Sequence, residues 1–351
     1  MPHGPTVGPL PLLTLTPISK RGIPLFIATE PDDVRDLRAA LADAVALPTN
    51  DTAPSPVTDW RAGWSALAGL GLAGLGVAEE HGGSGGRIDA AVAAADVLGA
   101  SLHGTPFPAI LAGTAALPGD VVAPFLDGSR VCGFATYDGS TCLAHQVLAP
   151  HDLDALVLAD PRTGLSVLST DPATWRIATT PGLDVTRVVG AVTVPADACV
   201  PVPAGPAWST YRLLVAADAL GGVRRSLERA VEYARNRPAF GTVTGAFQAV
   251  QHRLVDHALR VRGADLAVRD AAVRLTAGED ARREVLIAEA AVSGDAVRIL
   301  HDLLQLTGGI AFTWEHGLHL FERRAQADAR LAANPRRALA ELADLDLGVL
   351  R

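Results

Sequence analysis

The stretch Arg237-Pro238-Ala239-Phe240-Gly241, running on to Phe247-Gln248-Ala249-Val250-Gln251-His252, is answered further along by Gln305-Leu306-Thr307-Gly308-Gly309. Each segment marks the end of a long periodic run. Residues 209–236 keep one helical period until Pro238, which biases the residue before it away from helix. A second helix is predicted over 245–276, closed by Gly278, and a third over 280–306. Shorter helices flank Asn334-Pro335. Long helices joined by short connections make a C-terminal four-helix bundle, within residues 204–351, the economical arrangement.

Upstream of the bundle the pattern changes. Residues 126–203 read as short β-rich runs, VCGFATY, ALVLA, LSVLS, WRIATT and VVGAVTV, separated by Asp-Pro, Pro-Gly and Gly turns. They predict a small antiparallel β barrel or sandwich. Residues 27–125 read as a helical domain. Asp32 and Asp33 are expected to cap an amphipathic helix that Pro48 ends, and a Pro, Thr and Ser linker follows to Pro56. Beyond it come WRAGWSALAGLGLAGLGVAEEHGGSGG and an Ala-rich helix over Asp89 to Gly99. Residues 1–26, rich in Pro and Gly without a helical period, read as an extended segment.

One motif in this region misleads. Gly69-Leu70-Gly71-Leu72-Ala73-Gly74 satisfies G-x-G-x-x-G, with Asp96 about where a dinucleotide fold places its ribose acid. That fingerprint must follow a strand. Here Trp60, Trp64, Leu67 and Leu70 fall at helical spacing, so the Rossmann reading is set aside.

Composition bounds the function. The 351 residues are 49% hydrophobic and only 5% aromatic, which favours long helices packed through small side chains. A net charge of −8 opposes nucleic-acid binding, which needs a clustered basic face. Lys20 is the sole lysine, so anionic ligands must be met by arginine. Cys132, Cys142 and Cys199 have no metal-ligand spacing, and with no signal-peptide pattern a reducing cytoplasm is expected. The apolar stretch from Trp64 to Ala78 is interrupted by Gly and falls short of the roughly 18 residues of a membrane span.

The paired motifs resemble the cofactor signature of the acyl-CoA dehydrogenase family, R-x-Q-F-G with F-Q-x-x-Q-H, then Q-x-x-G-G-x-G. The chemistry suits a nucleotide, because arginine offers a planar fork of donors to a pyrophosphate and a Gly-Gly step lets backbone approach closely. Three other stretches are similar to the family: Val77-Ala78-Glu79-Glu80-His81-Gly82-Gly83 to its V-P-E-E-Y-G-G, Leu183 to Arg187 to its L-D-x-T-R, and Ile310 to Leu320 to a subgroup reading F-T-W-E-H-x-L-H-L. The resemblance implies a mostly α fold with a small β domain: N-terminal helical domain, middle antiparallel β barrel, C-terminal four-helix bundle. It implies FAD, with Arg237, Phe240, Gln248, Gln305, Gly308 and Gly309 as cofactor contacts. It also implies a homo- or hetero-oligomer of related subunits in which these residues complete a neighbour's flavin site. The substrate class it implies is an acyl-CoA or a carrier-bound acyl thioester, dehydrogenated between its α and β carbons.

The base for such a reaction is a carboxylate in a dry pocket. Of the family's two usual positions, one falls at Tyr211 and the other in Ala327 to Ala332, which lacks the Y-E-G-T motif. Asp218, in an otherwise apolar helix interior, is the remaining candidate for α-proton base; its bland reading is a buried ion pair, for instance with Arg224 or Arg225. Glu315, His316 and His319 lack H-E-x-x-H spacing, and no metal is expected. The T-E-x-x-x-G-S-D segment that holds the flavin ring in the family is reduced here to Thr136-Tyr137-Asp138-Gly139-Ser140-Thr141. Two alternatives follow: a non-catalytic subunit that completes a partner's FAD site, and a non-redox enzyme on the same fold performing dehydration or cyclisation.

Overall fold

The computed structural model describes residues 30–45, 47–50, 59–138, 142–161, 163–179, 181–203, 205–332 and 335–348. The extended segment expected over 1–26, most of the linker before Pro56, and Gly139 to Thr141 lie outside them.

The N-terminal layer is helical: α1 (Asp32–Ala44), α2 (Trp60–Gly69), α3 (Ile88–Ala100), α4 (Phe107–Ala115) and the single turn α5 (Ala123–Leu126). Pro31, not an aspartate, occupies the N-cap of α1 and no side chain caps it. Asp32 and Asp33 lie inside the first turn, where their charge opposes the helix dipole's positive end. Trp60, Trp64 and Leu67 of α2 are buried, as their spacing predicts, but Leu70 lies past the helix end and is exposed. The G-x-G-x-x-G stretch thus follows a helix and runs into a 3₁₀ turn over Leu72–Gly74.

The middle region is one seven-stranded sheet in the order β5-β6-β2-β1-β3-β4-β7. Its strands are β1 (Cys132–Asp138), β2 (Leu143–Leu148), β3 (Ala155–Ala159), β4 (Ser166–Ser169), β5 (Arg176–Thr179), β6 (Val189–Thr193) and β7 (Val200–Val202). Five of the six pairings are antiparallel, as expected; β1 and β3 run parallel. After the β1-β2 hairpin the chain crosses back to enter beside β1 on its other side. Residues of β3 are buried throughout, which is why ALVLA is a continuous apolar run and not an alternating one.

The bundle consists of α6 (Ala207–Asn236), a short hairpin of β8 (Pro238–Ala239) and β9 (Thr242–Val243), α7 (Gln248–Thr276), α8 (Arg282–Thr307) and α9 (Leu318–Leu331), with α10 (Pro335–Asp346) packed on α8. Helices α3 and α6 meet at backbone contact. A Cβ on Gly99 would lie 2.0 Å from the Asp218 carbonyl oxygen, and one on Gly221 would lie 1.9 Å from that of Asp96. Only glycine permits that approach, so the N-terminal layer and the bundle share one core.

Candidate functional site

Four chain segments converge at one end of the bundle. Arg237 caps the C-terminus of α6, and the β8-β9 hairpin leads directly from it into α7. Arg253 on α7 pairs with Asp302 on α8, its Nε 3.0 Å from Oδ2, so the start of α7 lies beside the end of α8. The segment after α8 returns to α6, where Arg229 donates to the His316 carbonyl at 2.6 Å and the Tyr233 and His316 rings meet edge-on at 6.2 Å. Arg237, Phe240, Gln248, Gln305 and Gly309 are all exposed at this end, with Gly308 half-buried. The six residues expected to contact cofactor are thus gathered on one surface.

The local geometry suits a ligand approaching from outside the chain. Phe240 and Gly241 have φ of 50° and 80°, the signature of a two-residue type I′ hairpin turn. A phenylalanine in that conformation costs about 1 kcal/mol or more, yet its ring is 97% exposed. Its ring meets that of Phe247 edge-on, with 6.2 Å between centroids. Gly308, with φ 80° and ψ −159°, occupies backbone space essentially closed to other residues. A Cβ at Gly309 would meet nothing within 4 Å, and Arg237 makes no ion pair among the described residues. A groove of 370 Å³ between α6 and α7, lined by Leu227, Val231, Leu254, Val255 and Ala258, opens beside the hairpin.

Asp218 lies elsewhere, halfway along α6, and both its oxygens are engaged. Arg324 on α9 donates Nη2 to Oδ1 at 2.7 Å and Nε to Oδ2 at 2.9 Å. Arg324 also reaches the His103 carbonyl at 2.8 Å and Thr186 Oγ1 at 3.3 Å. Arg187 stands 3.9 Å from Asp218 and joins Asp184, at 2.9 Å, to Asp328. Three buried carboxyl groups therefore share two guanidinium groups. Burial would raise Asp184, but Arg187 and Arg324 hold it below its ordinary value; burial, helped by the charge of Asp218, pushes the Asp328 carboxyl up against the pull of Arg187. Burial and this excess of negative charge act on Asp328 in the same direction. Arg224 and Arg225, the partners first considered for Asp218, are committed elsewhere: Arg224 to Asp96 and Asp265, Arg225 to the Pro48 carbonyl and Glu228.

The neighbourhood of Asp218 offers little room. Gly99 of α3 presses on its backbone, and the cavity beside Asp328 and Arg212 holds about 10 Å³, room for one water at most. Tyr211, at the family's other base position, is buried against Phe134 of β1 at 5.2 Å between ring centroids and against Trp208 at 5.9 Å. Burial pushes its hydroxyl pKa up, so the phenol stays neutral. Arg212, the next residue, lies 5.3 Å over the Trp208 ring and pairs with Glu289 and Glu341.

Sequence reasoning missed Arg324, Arg187 and Asp328 as a unit. Asp184 and Arg187 fall in the L-D-x-T-R step and were in view as a motif; Arg324 lies 106 residues from Asp218, and no local pattern joins them. The Glu315, His316 and His319 residues do not act together: His316 packs on Tyr233, His319 edge-on to Trp314 at 5.3 Å, and Glu315 is exposed.

Comparison with known proteins identifies the family and the fold. The family model described as acyl-CoA dehydrogenase, C-terminal domain, matches residues 208–332. Acyl-CoA dehydrogenase IpdE2 of Mycolicibacterium smegmatis is 31% identical over 280 residues, 78% of this chain and 84% of the relative. Acyl-CoA dehydrogenase FadE34 of Mycobacterium tuberculosis is 31% identical over 283 residues, 76% of this chain and 39% of the relative. Among solved structures, butyryl-CoA dehydrogenase from Megasphaera elsdenii superposes with a TM-score of 0.78 at 18% identity, over 92% of this chain and 100% of that one. The ChsE4-ChsE5 complex from Mycobacterium tuberculosis gives 0.75 at 22% identity, over 91% and 98%. With its motifs gathered at the bundle end and a relative of this similarity matched over most of both chains, the chain belongs to the acyl-CoA dehydrogenase family of oxidoreductases.

Proposed function

We infer that this chain is the cofactor-completing subunit of a hetero-oligomeric, flavin-dependent acyl thioester dehydrogenase. In this reading Arg237 reaches the pyrophosphate of an FAD held mainly by a partner subunit, and Phe240 and Gln248 flank the nucleotide. Gln305 and the Gly308-Gly309 backbone close on it from the other side. The flavin, when bound, accepts the hydride of thioester dehydrogenation. Proton abstraction takes place on the partner, and Asp218 anchors α6 to α9 and to the β domain.

The observation that carries this reading is the contrast between the two regions. The ADP-side residues are exposed and converge, Phe240 at a local energetic cost. Asp218 has both oxygens taken by Arg324, and Tyr211, the other base position, is a buried neutral phenol stacked on Trp208. A base needs a carboxylate whose free lone pair faces the substrate. The residues present fit the nucleotide half of a flavin better than its ring half.

The test is made on this chain co-expressed and co-purified with a complete acyl-CoA dehydrogenase subunit that assembles with it. Arg237→Ala removes a charge-assisted contact, so flavin affinity of the complex is expected to fall about tenfold to a hundredfold with assembly intact. Tyr211→Phe is expected to leave turnover unchanged. Full flavin retention by Arg237→Ala, or loss of turnover in Tyr211→Phe, contradicts the assignment.

A further inference from the structure

The chain has three cysteines in 351 residues, and the fold brings two of them together. Cys142 lies at the entrance to β2, where its carbonyl accepts the Val194 N–H at 3.1 Å just past the end of β6. The next pair in that register is Leu143 with Thr193. Pro195 then opens a 3₁₀ turn over Ala196–Ala198 that folds the chain back, with Ala198 N donating to the Pro195 carbonyl at 3.0 Å and Cys199 N to that of Ala196 at 3.3 Å. The turn leaves Cys199 Sγ 3.5 Å from the Pro195 carbonyl, one residue along from the partner of Cys142. There the two thiols engage each other in a side-chain hydrogen bond. Both also lie beside Tyr137 of β1, whose phenol is pushed up by burial and then by the charges of Cys142, Asp160 and Cys199.

The backbone at this place is unusual. Cys142 has φ 49°, in the left-handed region that a residue with a β-carbon rarely occupies. Strain of that kind is characteristic of functional positions. Access separates the three thiols. Cys142 and Cys199 are half-buried, whereas Cys132 is fully buried, its thiol directed to the Gly133 carbonyl at 3.6 Å and held protonated by burial. Reagents in solution reach the pair and not the third thiol.

We propose that Cys142 and Cys199 are a reversible dithiol-disulfide pair, oxidised by exchange with a low-molecular-weight disulfide and restored by a dithiol. The Cys142 thiolate attacks one sulfur of the small disulfide, RSSR, forming a mixed disulfide with one RS group and expelling the other as a thiolate. The Cys199 thiolate then attacks the Cys142 sulfur, closes the bond between the two cysteines and expels the second RS thiolate. The two protons lost by the cysteines end on the two released thiolates. Two cysteine thiols and RSSR thus become one protein disulfide and two RSH. The order of attack follows from the surroundings: Cys199 is pushed up to about 11 by burial and then by Cys142. Capping Cys142 removes the second influence and frees Cys199 for the closing step.

The bond joins the start of β2 to the turn beyond β6. Strand β2 stands between β6 and β1 in the sheet, so the link fastens the sheet near its middle. The two cysteines are far apart in sequence, so the link also closes a long loop and restricts the unfolded chain. The oxidised chain is therefore the more stable form. This pair stands apart from the cofactor surface and does not depend on the function proposed for it.

In the experiment the full-length chain is incubated with oxidised glutathione, its remaining thiols are alkylated under denaturing conditions, and it is digested with an Asp-specific protease. That protease cuts at Asp138, between Cys132 and Cys142. Mass spectrometry is expected to find the Cys142 peptide joined to the Cys199 peptide, about 2 Da below the sum of the two thiol peptides, with Cys132 alkylated. The joined form is expected to exceed glutathione adducts about tenfold or more, because its second step is intramolecular. The thermal midpoint of the oxidised chain is expected to rise by about 2 °C or more and to return with dithiothreitol. Cys199→Ser is expected to stop at a glutathione adduct on Cys142, with no such rise. Adducts on Cys142 and Cys199 without a link overturn the proposal, as do links between two chains, a link to Cys132, or a wild-type chain left unmodified. Because no flavin is measured, a failure here is separate from a failure of the cofactor assignment.

Discussion

Arg324 on α9 grips both carboxylate oxygens of Asp218 on α6, at 2.7 and 2.9 Å, in a site where each side chain is almost fully buried. In the function proposed above, this pair makes Asp218 a joint between helices and leaves proton abstraction to the partner subunit. Removing Asp218 strips the buried Arg324 guanidinium of its bidentate hydrogen-bonding partner. Asp218→Ala is therefore expected to lower unfolding free energy by about 3–5 kcal/mol, read from the denaturant midpoint. Loss of turnover at full stability and full flavin content would assign Asp218 to chemistry instead.

The crossing of α3 and α6 predicts a second effect. An added Cβ at Gly221 would strike the Asp96 carbonyl, which is backbone and cannot swing aside. Gly221→Ala is expected to force the helices apart and lower stability by about 2 kcal/mol or more, although alanine is the better helix former. A thermal midpoint at or above wild type would show that the helices are not in this contact.

The bundle helices were legible because periodicity and punctuation agree there. Helices predicted over 209–236, 245–276 and 280–306 appear as α6, α7 and α8 within three residues at each end, and Pro238 and Gly278 mark the boundaries as expected. The proposed cofactor surface follows from spacing, since motif residues at helix ends come together where the helices pack antiparallel. What sequence could not supply was pairing at a distance. The parallel neighbours β1 and β3, the Asp218 to Arg324 joint and the packing of Tyr211 against Phe134 are tertiary relations with no local signature.

Stability should depend on pH through buried histidine. Burial, with Arg229 nearby, lowers the His316 pKa from 6.5 to about 4, and His103 is lowered to about 4 by burial and Arg324. Both imidazoles are neutral in the folded chain, whereas the unfolded chain takes up protons below pH 6.5. The unfolded state thus binds more protons between about pH 4 and 6.5. Stability is fully present above that window and is lost as pH falls through it, by at most roughly 3 kcal/mol per imidazole. Denaturant midpoints at neutral pH and near pH 4.5 should differ less in His316→Gln than in wild type; an unchanged difference would contradict a buried neutral His316.

The hairpin tip predicts a trade between stability and function. Phe240→Asn creates the Asn-Gly pair that type I′ turns favour, and is expected to raise the stability of the free chain by about 1 kcal/mol. In the assembled complex the same change removes the aromatic side chain proposed to flank the nucleotide, so retained flavin should fall. Greater flavin retention in Phe240→Asn would mean that the exposed ring serves another purpose.

The central claim, that this chain marks half of a flavin site and needs another subunit for the rest, is tested most directly by the visible absorption spectrum of the chain produced alone. The account predicts a colourless protein that oxidises no acyl thioester, becoming part of a yellow, active complex only with its partner subunit. A chain that purifies alone with stoichiometric flavin and dehydrogenates an acyl-CoA would contradict it.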